Sequence, residues 1–372
     1  MGIEFEKIAL SDICDRLSSG KSIKAKDIKE EGIYPVFGGN GLRGYTDKSN
    51  FKGQCAIIGR QGAYCGNVRY FSGEAYMTEH AVVCTSSKHN VRFLAHVLSN
   101  MDLGRLSGQS AQPGLSVKVL GQQMIDMPSR INQDKIAYYI DLFDKKIDVN
   151  KKIVTNLYQQ LETLFKAFFI DCNHQELSSV KDWVKCSVGD VVMPIREKVR
   201  DRGYRVLSAV NTGKLQLSED YFSKQVFSKD TSNYIVVQEN DFAYNPARIN
   251  IGSIGINDLG FVGCVSPVYV VFRTEKEYEY YFNMLIKTPV FQEEIKLRAS
   301  GSVRQTLNFD SFSMIPIDYP SIEDVRSFNR YYSKYISLIK SKLKENEALE
   351  ETKNSVIKGF LEGNKNLEDF LN

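Results

Sequence analysis

The stretch that decides the fold is residues 131–170, INQDKIAYYIDLFDKKIDVNKKIVTNLYQQLETLFKAFFI, which follows Pro128-Ser129 and Arg130. Apolar residues recur along it at alternating steps of four and three, a pattern that predicts one long helix with a coiled-coil seam. At 1.5 Å per residue such a helix is roughly 60 Å long. The predicted seam positions are Ile136, Ile140, Phe143, Ile147, Asn150, Val154, Leu157, Leu161, Leu164 and Phe168.

The same arrangement occurs a second time. Pro320-Ser321 leads into a predicted helix over residues 321–361, whose apolar stripe has a similar but less regular spacing. Lys342 and Lys353 fill two of its seam positions. The other seam positions are Val325, Phe328, Tyr332, Tyr335, Ile339, Asn346, Leu349, Val356 and Phe360.

Each predicted seam contains one asparagine, Asn150 in the first and Asn346 in the second. A lone polar residue in a seam usually fixes register and orientation at some cost in stability. If the helices pair antiparallel, with residue 170 near residue 323, Asn150 should lie near residues 343–346. We therefore predict that the two asparagines lie within about one helical turn of each other.

The regions that precede the two helices also resemble each other. Short apolar runs at residues 55–58 and 81–84, and at 234–237 and 268–272, predict strands, and residues 92–99 and 277–285 have helical spacing. An offset of about 192 residues aligns the halves near their helices and shrinks to about 188 further upstream. We predict an α+β fold: two α/β domains with twisted, largely irregular sheets in a pseudo-two-fold arrangement, joined by two long antiparallel coiled-coil helices.

The chain has 372 residues, which is enough for two domains with separate cores. We place the first domain at residues 1–130, the central helix at 131–171, the second domain at 172–320 and the C-terminal helix at 321–372. No apolar run is long enough for a membrane span, and residues 1–10 lack the pattern of a signal peptide, so we expect a cytoplasmic protein.

The net charge of +3 is too small to indicate nucleic acid by itself. Phosphate binding depends on local rather than total charge, and one segment is locally basic. Between residues 43 and 69 a single acid, Asp47, stands against Arg43, Lys48, Lys52, Arg60 and Arg69.

The seven cysteines form no C-x-x-C pair, and free thiols are expected in a reducing compartment. His80 and Cys84 have the spacing of two metal ligands on a helix. Structural zinc needs four ligands and no matching second pair follows, so ordinary packing is favoured over a metal site.

Four stretches resemble the specificity subunits of type I restriction–modification enzymes. In the first domain they are residues 34–45, YPVFGGNGLRGY, and 57–68, IIGRQGAYCGNV. In the second domain they are residues 244–255, YNPARINIGSIG, and 263–269, GCVSPVY. Because they occur in order, with a seam helix after each pair, the resemblance covers essentially the whole chain.

This resemblance implies a DNA-recognition subunit with no catalytic centre of its own. Each domain would read one half of a split, asymmetric site in double-stranded DNA, and the antiparallel helices would set the gap between the halves. Two methyltransferase subunits would dock on the chain, and ATP-dependent restriction subunits could join them. S-adenosylmethionine, ATP and Mg²⁺ would belong to those partners, with no cofactor on this chain and no membrane partner.

The candidates for DNA contact are polar residues of the glycine-rich stretches and of two matching loops, residues 108–114 and 301–306. Side chains of these types can donate or accept hydrogen bonds in the grooves of DNA. A structural role is the alternative for each, above all at Asn245-Pro246 and Asn250, where such residues often form turns. The candidates are Arg43, Arg60, Gln61, Tyr64, Asn67, Arg69, Gln109, Ser110, Gln112, Arg205, Asn211, Asn245, Arg248, Asn250, Ser302, Arg304 and Gln305.

Other functions are less well supported. The stretch Tyr244-Asn-Pro-Ala247 lacks the second proline and the aromatic residue of a methyltransferase motif, and no phosphate-binding G-x-x-x-x-G-K-[ST] occurs. A subunit serving a fused methyltransferase–nuclease is an alternative within the same class. A protein-binding scaffold without DNA readout is the alternative outside it, and the basic glycine-rich loops argue against that scaffold.

Overall fold

The computed structural model describes residues 4–107, 114–171, 183–222, 227–299 and 306–361. The chain divides into two compact units. The first unit comprises Met1–Lys152 with Lys342–Asn372, and the second comprises Ile153–Ser341. These units cut each long helix, whereas the boundaries predicted from the sequence keep the helices whole, so that four-part division stays a prediction.

The first unit is built on a six-stranded sheet. Its elements are β1 (Phe5–Ala9), α1 (Leu10–Ile13), β2 (Arg16–Ser19), β3 (Tyr34–Gly38), β4 (Gly41–Thr46), β5 (Phe51–Gly59), β6 (Val68–Met77), β7 (Ala81–Thr85), α2 (Val91–Ser99), α3 (Val117–Gly121) and β8 (Met124–Pro128). The sheet has the order β2-β7-β5-β6-β3-β4, and β1 and β8 pair separately. β3 and β6 are parallel, and the other neighbours are antiparallel.

The prediction of a largely irregular sheet is wrong for this unit. β5 and β6 pair without interruption from Phe51 opposite Ala75 to Ile58 opposite Val68. The helix predicted at residues 92–99 is observed as α2, which starts where the Asn90 side chain accepts a hydrogen bond from the Phe93 amide. Its buried face, which includes Phe93 and Leu94, joins the core under the sheet.

From β8 the chain runs into α4 (Arg130–Phe169), which corresponds to the helix predicted at 131–170. The second unit then contributes β9 (Val184–Ser187), α5 (Val188–Val191), β10 (Val192–Ile195), β11 (Arg205–Val210), β12 (Lys214–Leu217), α6 (Ser218–Tyr221), β13 (Ile235–Val237), β14 (Phe242–Tyr244), β15 (Ile254–Ile256), β16 (Gly263–Val265), β17 (Val270–Thr274), α7 (Glu279–Leu285), α8 (Pro289–Arg298), α9 (Phe309–Ser313), β18 (Pro316–Tyr319) and the first half of α10 (Ile322–Leu361).

The sheets of the second unit match those of the first in outline. One has the order β10-β17-β14-β15, another β12-β11-β16-β13, and β18 pairs with β9 as β8 pairs with β1. The run β2-β7-β5-β6 of the first unit therefore corresponds to β10-β17-β14-β15. None of the described helices is long and apolar enough to cross a membrane.

The seam residues are buried to different degrees along α4 and α10. Fully buried positions are Ile140, Ile147, Asn150, Ile339 and Val356, and half-buried ones are Leu157, Leu164, Tyr335, Asn346 and Leu349. In the first unit Ile136, Ile140, Val356 and Ile357 join the core of the six-stranded sheet. In the second unit Leu161, Phe165, Phe168, Val325 and Phe328 form one cluster.

The two seam asparagines are in direct contact, which confirms the prediction of their proximity. Nδ2 of Asn150 donates to Oδ1 of Asn346 over 2.9 Å. The seam lysine Lys353 is paired as well, with Asp144 at 2.9 Å and Glu350 at 2.6 Å. Asp144 lies six residues before Asn150 while Lys353 lies seven after Asn346, so α4 and α10 run antiparallel within the first unit.

Replacing Asn346 alone by leucine should destabilise the protein, because it leaves the buried Asn150 amide without its partner. The expected loss is about 1–3 kcal/mol, the desolvation cost of an unsatisfied buried polar group. Replacing both asparagines by leucine should recover most of that loss, since two apolar residues then face each other. Urea unfolding of the single and double variants measures both values.

Asn354→Leu is a matched control, because Asn354 is an exposed asparagine on the same helix. It should change the free energy of unfolding by less than about 0.5 kcal/mol. An Asn346→Leu protein as stable as the wild type would show that the amide contact does not constrain the seam.

Candidate nucleic-acid interface

In the first unit most candidate residues gather at one end of the sheet. β2 and β5 end there and β7 and β6 begin there, because Ser19 pairs with Val82, Val82 with Ile58, and Ile58 with Val68. The loop between β5 and β6, residues 60–67, leaves from this end. It carries the candidates Arg60, Gln61, Tyr64 and Asn67, and Arg69 follows on β6.

Backbone hydrogen bonds close the β5–β6 loop. The Gly59 amide donates to the Asn67 carbonyl over 2.8 Å, and the Gly66 amide donates to the Gly59 carbonyl over 2.8 Å. A Cβ atom at Gly59 would overlap the carbonyl oxygens of Tyr64 and Gly39. Only glycine therefore permits this close approach of the loop to the β3–β4 turn, and Arg43 follows that turn on β4.

Arg60 is half-buried at the base of this loop. Its Nη1 donates to Ser19 Oγ over 3.2 Å, and its carbonyl accepts from the Leu115 amide over 2.8 Å. No carboxylate of the described residues pairs with its guanidinium, so the structure does not favour the alternative in which Arg60 serves only a surface ion pair.

The other described candidates of the first unit point outward. Arg43, Gln61, Tyr64, Asn67 and Arg69 are all exposed. The Arg69 guanidinium lies beside the Gly41 backbone, where an added Cβ would be 2.7 Å from Cζ, so Arg69 reaches the β3–β4 turn from β6. The structure thus brings cations and amides of the β5–β6 loop, of β6 and of β4 to one end of the sheet.

The second unit builds the same loop between β14 and β15. The Asn245 amide donates to the Ser253 carbonyl over 3.1 Å, as Gly59 does to Asn67. The Leu307 amide donates to the Pro246 carbonyl over 3.1 Å, as Leu115 does to Arg60. Both loops contain a short 3₁₀ turn and end on a glycine in the left-handed region, Gly66 at φ +86° and Gly252 at φ +89°.

The candidates of this second loop divide into two kinds. Arg248 is exposed, and Asn250 is half-buried. Asn245 Oδ1 accepts from the Ala247 amide over 3.0 Å, which favours the turn-forming alternative for Asn245. Asn211 is exposed in the β11–β12 turn, and its carbonyl oxygen would lie 2.8 Å from a Cβ at Gly252, so this turn adjoins the loop.

Arg205 is not brought to this cluster. It stands at the start of β11, whereas Asn211 follows the end of that strand. Its Nη2 lies 2.6 Å from Glu219 Oε1, and its guanidinium lies 5.4 Å from the centroid of the Phe261 ring. The sequence did not show this because no strand was predicted there, and the bounds of β11 put Arg205 and Asn211 at opposite ends of that strand.

Six candidates lie outside the described residues: Gln109, Ser110, Gln112, Ser302, Arg304 and Gln305. The residues that follow their segments are described. Leu115 is anchored to the carbonyl of Arg60 and Leu307 to that of Pro246, so each of these leucines lies at the base of a candidate loop.

Two basic segments, residues 20–27 after β2 and residues 196–203 after β10, were not predicted from the sequence. They leave their sheets from the same end as the candidate loops. In the second unit Ile195 pairs with Val271 and Val270 with Tyr244, so β10 and β14 end at the same end of the sheet. The sequence signal for them is that the two segments align at an offset of about 176 residues. Insertions raise the offset to about 192 near the helices, so an alignment based on the helices does not reveal it.

One cluster of potential metal ligands occurs among the described residues. Ligand atoms of His96, Asp141 and Asp144 lie within 4.8 Å of one another. Arg92 pairs with Asp141 and Lys353 with Asp144, so both carboxylates already face cations. Burial lowers the pKa of His96, partly offset by Asp144. The cluster links α2 to the long helices, and we assign it a structural role.

The cysteines of the described residues are free: Cys14, Cys55, Cys65, Cys84, Cys186 and Cys264. Burial raises the pKa of Cys55 to about 12, so this thiol stays protonated at neutral pH. Cys84 lies beside Cys14, with sulfur atoms 3.0 Å apart, and His80 faces Glu79 at 3.4 Å. His80 and Cys84 thus have separate neighbours, in line with the packing interpretation.

The chain is similar in sequence to known proteins of the type I restriction–modification class. Residues 2–159 match the family model of the type I restriction modification DNA specificity domain. The specificity subunit of the type I restriction enzyme EcoprrI from Escherichia coli is 42% identical over 147 residues, a match that spans 38% of this chain but only 36% of that protein. A putative type I specificity subunit of Mycoplasma pneumoniae is 23% identical over 84% of both chains.

Solved structures agree on the fold. The crystal structure of a type I restriction–modification S subunit from M. genitalium superposes with a TM-score of 0.62 at 15% identity, covering 96% of both chains. The α+β fold with two long helices is thus that of an S subunit. In sequence over residues 2–159 and in overall fold, the chain is thus similar to the specificity subunits of type I restriction–modification systems, as the resemblance indicated.

Replacing Arg60 by alanine should weaken binding to duplex DNA by about 1–3 kcal/mol if the side chain contacts a base. Preference should then relax at one position of the site. If Arg60 instead contacts a phosphate, all sequences should bind more weakly and the salt dependence should fall. Fluorescence titration of target and mutated duplexes at several salt concentrations separates the two roles. The prediction for Arg304→Ala in the second half is the same.

Arg330→Ala is the control, since Arg330 is an exposed arginine on α10. It should leave affinity and base preference unchanged. Wild-type affinity in both Arg60→Ala and Arg304→Ala would remove these two residues from the interface.

Proposed function

We propose that this chain is the DNA-recognition subunit of a type I restriction–modification complex, in which each unit reads one half of a split site. The observation that carries the proposal is the recurrence of one loop geometry in both units. The same closing hydrogen bond and the same anchor to a following leucine occur at the same end of equivalent strands.

The side chains on the two loops support an asymmetric target. The first loop presents Arg60, Gln61, Tyr64 and Asn67, whereas the second presents Arg248 and Asn250. Side chains that read bases determine which base pairs are preferred. Two loops with one backbone geometry but different side chains should therefore prefer different half-sites.

We also propose that α4 and α10 set the gap between the half-sites. Each helix has 40 residues, or roughly 60 Å at 1.5 Å per residue. The buried Asn150–Asn346 pair disfavours sliding of one helix past the other, because a slipped register would leave both amides unpaired.

Inserting one helical turn near Ile170 or Leu361 should change the preferred gap while leaving both half-sites unchanged. DNA rises about 34 Å per turn, so readers of two half-sites must keep a defined separation and phase. Methylation mapping with the insertion variant measures gap and half-sites together. Altered half-site bases with an unchanged gap would contradict a spacing role.

Methyltransferase subunits are the proposed partners of an exposed apolar stripe on α4. Ile131, Tyr138, Leu142 and Val149 are 70%, 58%, 42% and 49% exposed. Their spacing of seven, four and seven residues places all four on one face of the helix. Contiguous exposed apolar surface of this kind is typical of a protein–protein contact.

Replacing Tyr138 and Leu142 by serine and glutamate should prevent assembly with the cognate methyltransferase, because it puts a charge into an apolar contact. Size-exclusion chromatography of the mixed subunits should show the free chain. Asp148→Ser is the control, since this exposed residue lies about 100° around the helix from the stripe. Unchanged assembly of the double variant would place the methyltransferase elsewhere.

The chemistry of the complex would then belong to its partners. We propose that S-adenosylmethionine binds the methyltransferase subunits and that ATP and Mg²⁺ serve restriction subunits. The direct test is duplex binding by the chain together with its methyltransferase. Salt-dependent, sequence-selective binding supports the proposal, and equal binding of all duplexes at every salt concentration would favour a scaffold without DNA readout.

A further inference from the structure

The segments that follow β2 and β10, residues 20–27 and 196–203, share a sequence pattern. An offset of about 176 residues that matches β2 with β10 also matches Ile23-Lys24 with Val199-Arg200, and Lys26 with Arg202. In each case an aliphatic residue precedes two cations spaced two residues apart. We call residues 20–27 and 196–203 the basic segments.

The aliphatic residues anchor both basic segments, and the cations face outward. Val199 is fully buried among Tyr234, Val236 and Cys264, and Ile23 is half-buried. Lys24 and Arg200 are exposed. Neither side chain has a hydrogen-bond or ion-pair partner in the part of the chain that the structure describes, so both positive charges are available to a ligand.

Arg200 is held in an unusual backbone conformation. Its φ is +56°, in the left-handed region that residues with a side chain seldom adopt. Its amide donates to the Ser232 carbonyl over 2.8 Å, and the Val199 amide donates to the Tyr234 carbonyl over 2.9 Å. The segment is therefore held in place by its neighbours, and it lines an open concavity of about 630 Å³.

Both basic segments adjoin the candidate DNA-reading loops. In the first unit Ser19, the last residue of β2, contacts the Arg60 guanidinium at 3.2 Å, and residue 20 begins the segment. In the second unit β10 and β14 end on the same side of one sheet, so residues 196–203 and the Asn245–Gly252 loop leave it together. If the candidate loop of a unit contacts bases, the adjoining basic segment would lie against the DNA backbone.

We propose that the two basic segments are matched phosphate-backbone clamps, in which Lys24 and Arg200 each bind a phosphate beside the half-site read by their own unit. This inference rests on the proposed DNA-recognition function. Exposed cations on a fixed loop suit phosphates, which position a protein on the duplex without reading sequence. The clamps would add affinity and salt dependence equally for all sequences.

The test replaces one cation in each unit. Lys24→Gln and Arg200→Gln should each lower the slope of log K against log salt concentration by about 1, and the double variant should lower it by about 2. Affinity should fall for every duplex by the same factor, with unchanged base preference. The measurement uses the full chain with its methyltransferase. Lys24→Arg should restore the wild-type slope.

Lys7→Gln with Lys185→Gln is the matched control. These two exposed lysines occupy equivalent positions on β1 and β9, opposite Asp126 and Asp318. This pair should keep the wild-type slope.

Two results would overturn the clamps: a wild-type slope in the double variant, or a change of base preference at one position. Failure of the wild-type complex to bind duplex DNA selectively would instead refute the proposed function, so the two failures are distinguishable.

Discussion

The packing of α4 against α10 is the constraint on which the rest of the structure depends. Each compact unit uses a part of both helices in its core. Ile136 and Val356 join the core of the first unit, and Phe165 and Phe328 belong to one of the apolar clusters of the second. Burial of such large side chains contributes on the order of 2 kcal/mol each. Burial alone would tolerate sliding by a heptad, and the Asn150–Asn346 contact opposes it.

The positions of the candidate loops follow from this packing through the strands that lead into the helices. β8 runs into α4 and β18 into α10, and each closes a small sheet with the first strand of its unit. From that first strand a short helix leads to one further strand, β2 in the first unit and β10 in the second. This strand forms the edge of the sheet from which the candidate loop leaves. Backbone bonds such as that from Gly59 to Asn67 set the loop geometry, so side chains there can differ between units without altering the scaffold.

The sequence predicted the long helices well because their signal is strong and local. Steps of four and three persist through the seam, and a buried polar residue in such a seam needs a partner, which made the contact of Asn150 with Asn346 predictable. The sequence showed that Lys353 fills a seam position, but it did not show that Asp144 is its partner. Salt bridges depend on rotamers and register, which the spacing of residues does not show.

The sheets and the site were less predictable. The sheet of the first unit is more regular than its many glycines indicated, because several of them, such as Gly53 within β5, accommodate positive φ inside strands. Arg205 lies at the far end of β11 from Asn211, because β11 extends between them and no strand was predicted there. The basic segments escaped notice because the offset between the halves falls from about 192 at the helices to about 176 after β2.

The central claim is that two units of one chain read two different half-sites at a fixed separation. Single-molecule methylation sequencing of DNA from cells that carry this chain with its methyltransferase tests it most directly. The expected result is one non-palindromic motif in two parts, separated by a gap of constant length and unspecified sequence. A contiguous or palindromic methylated motif would contradict the claim.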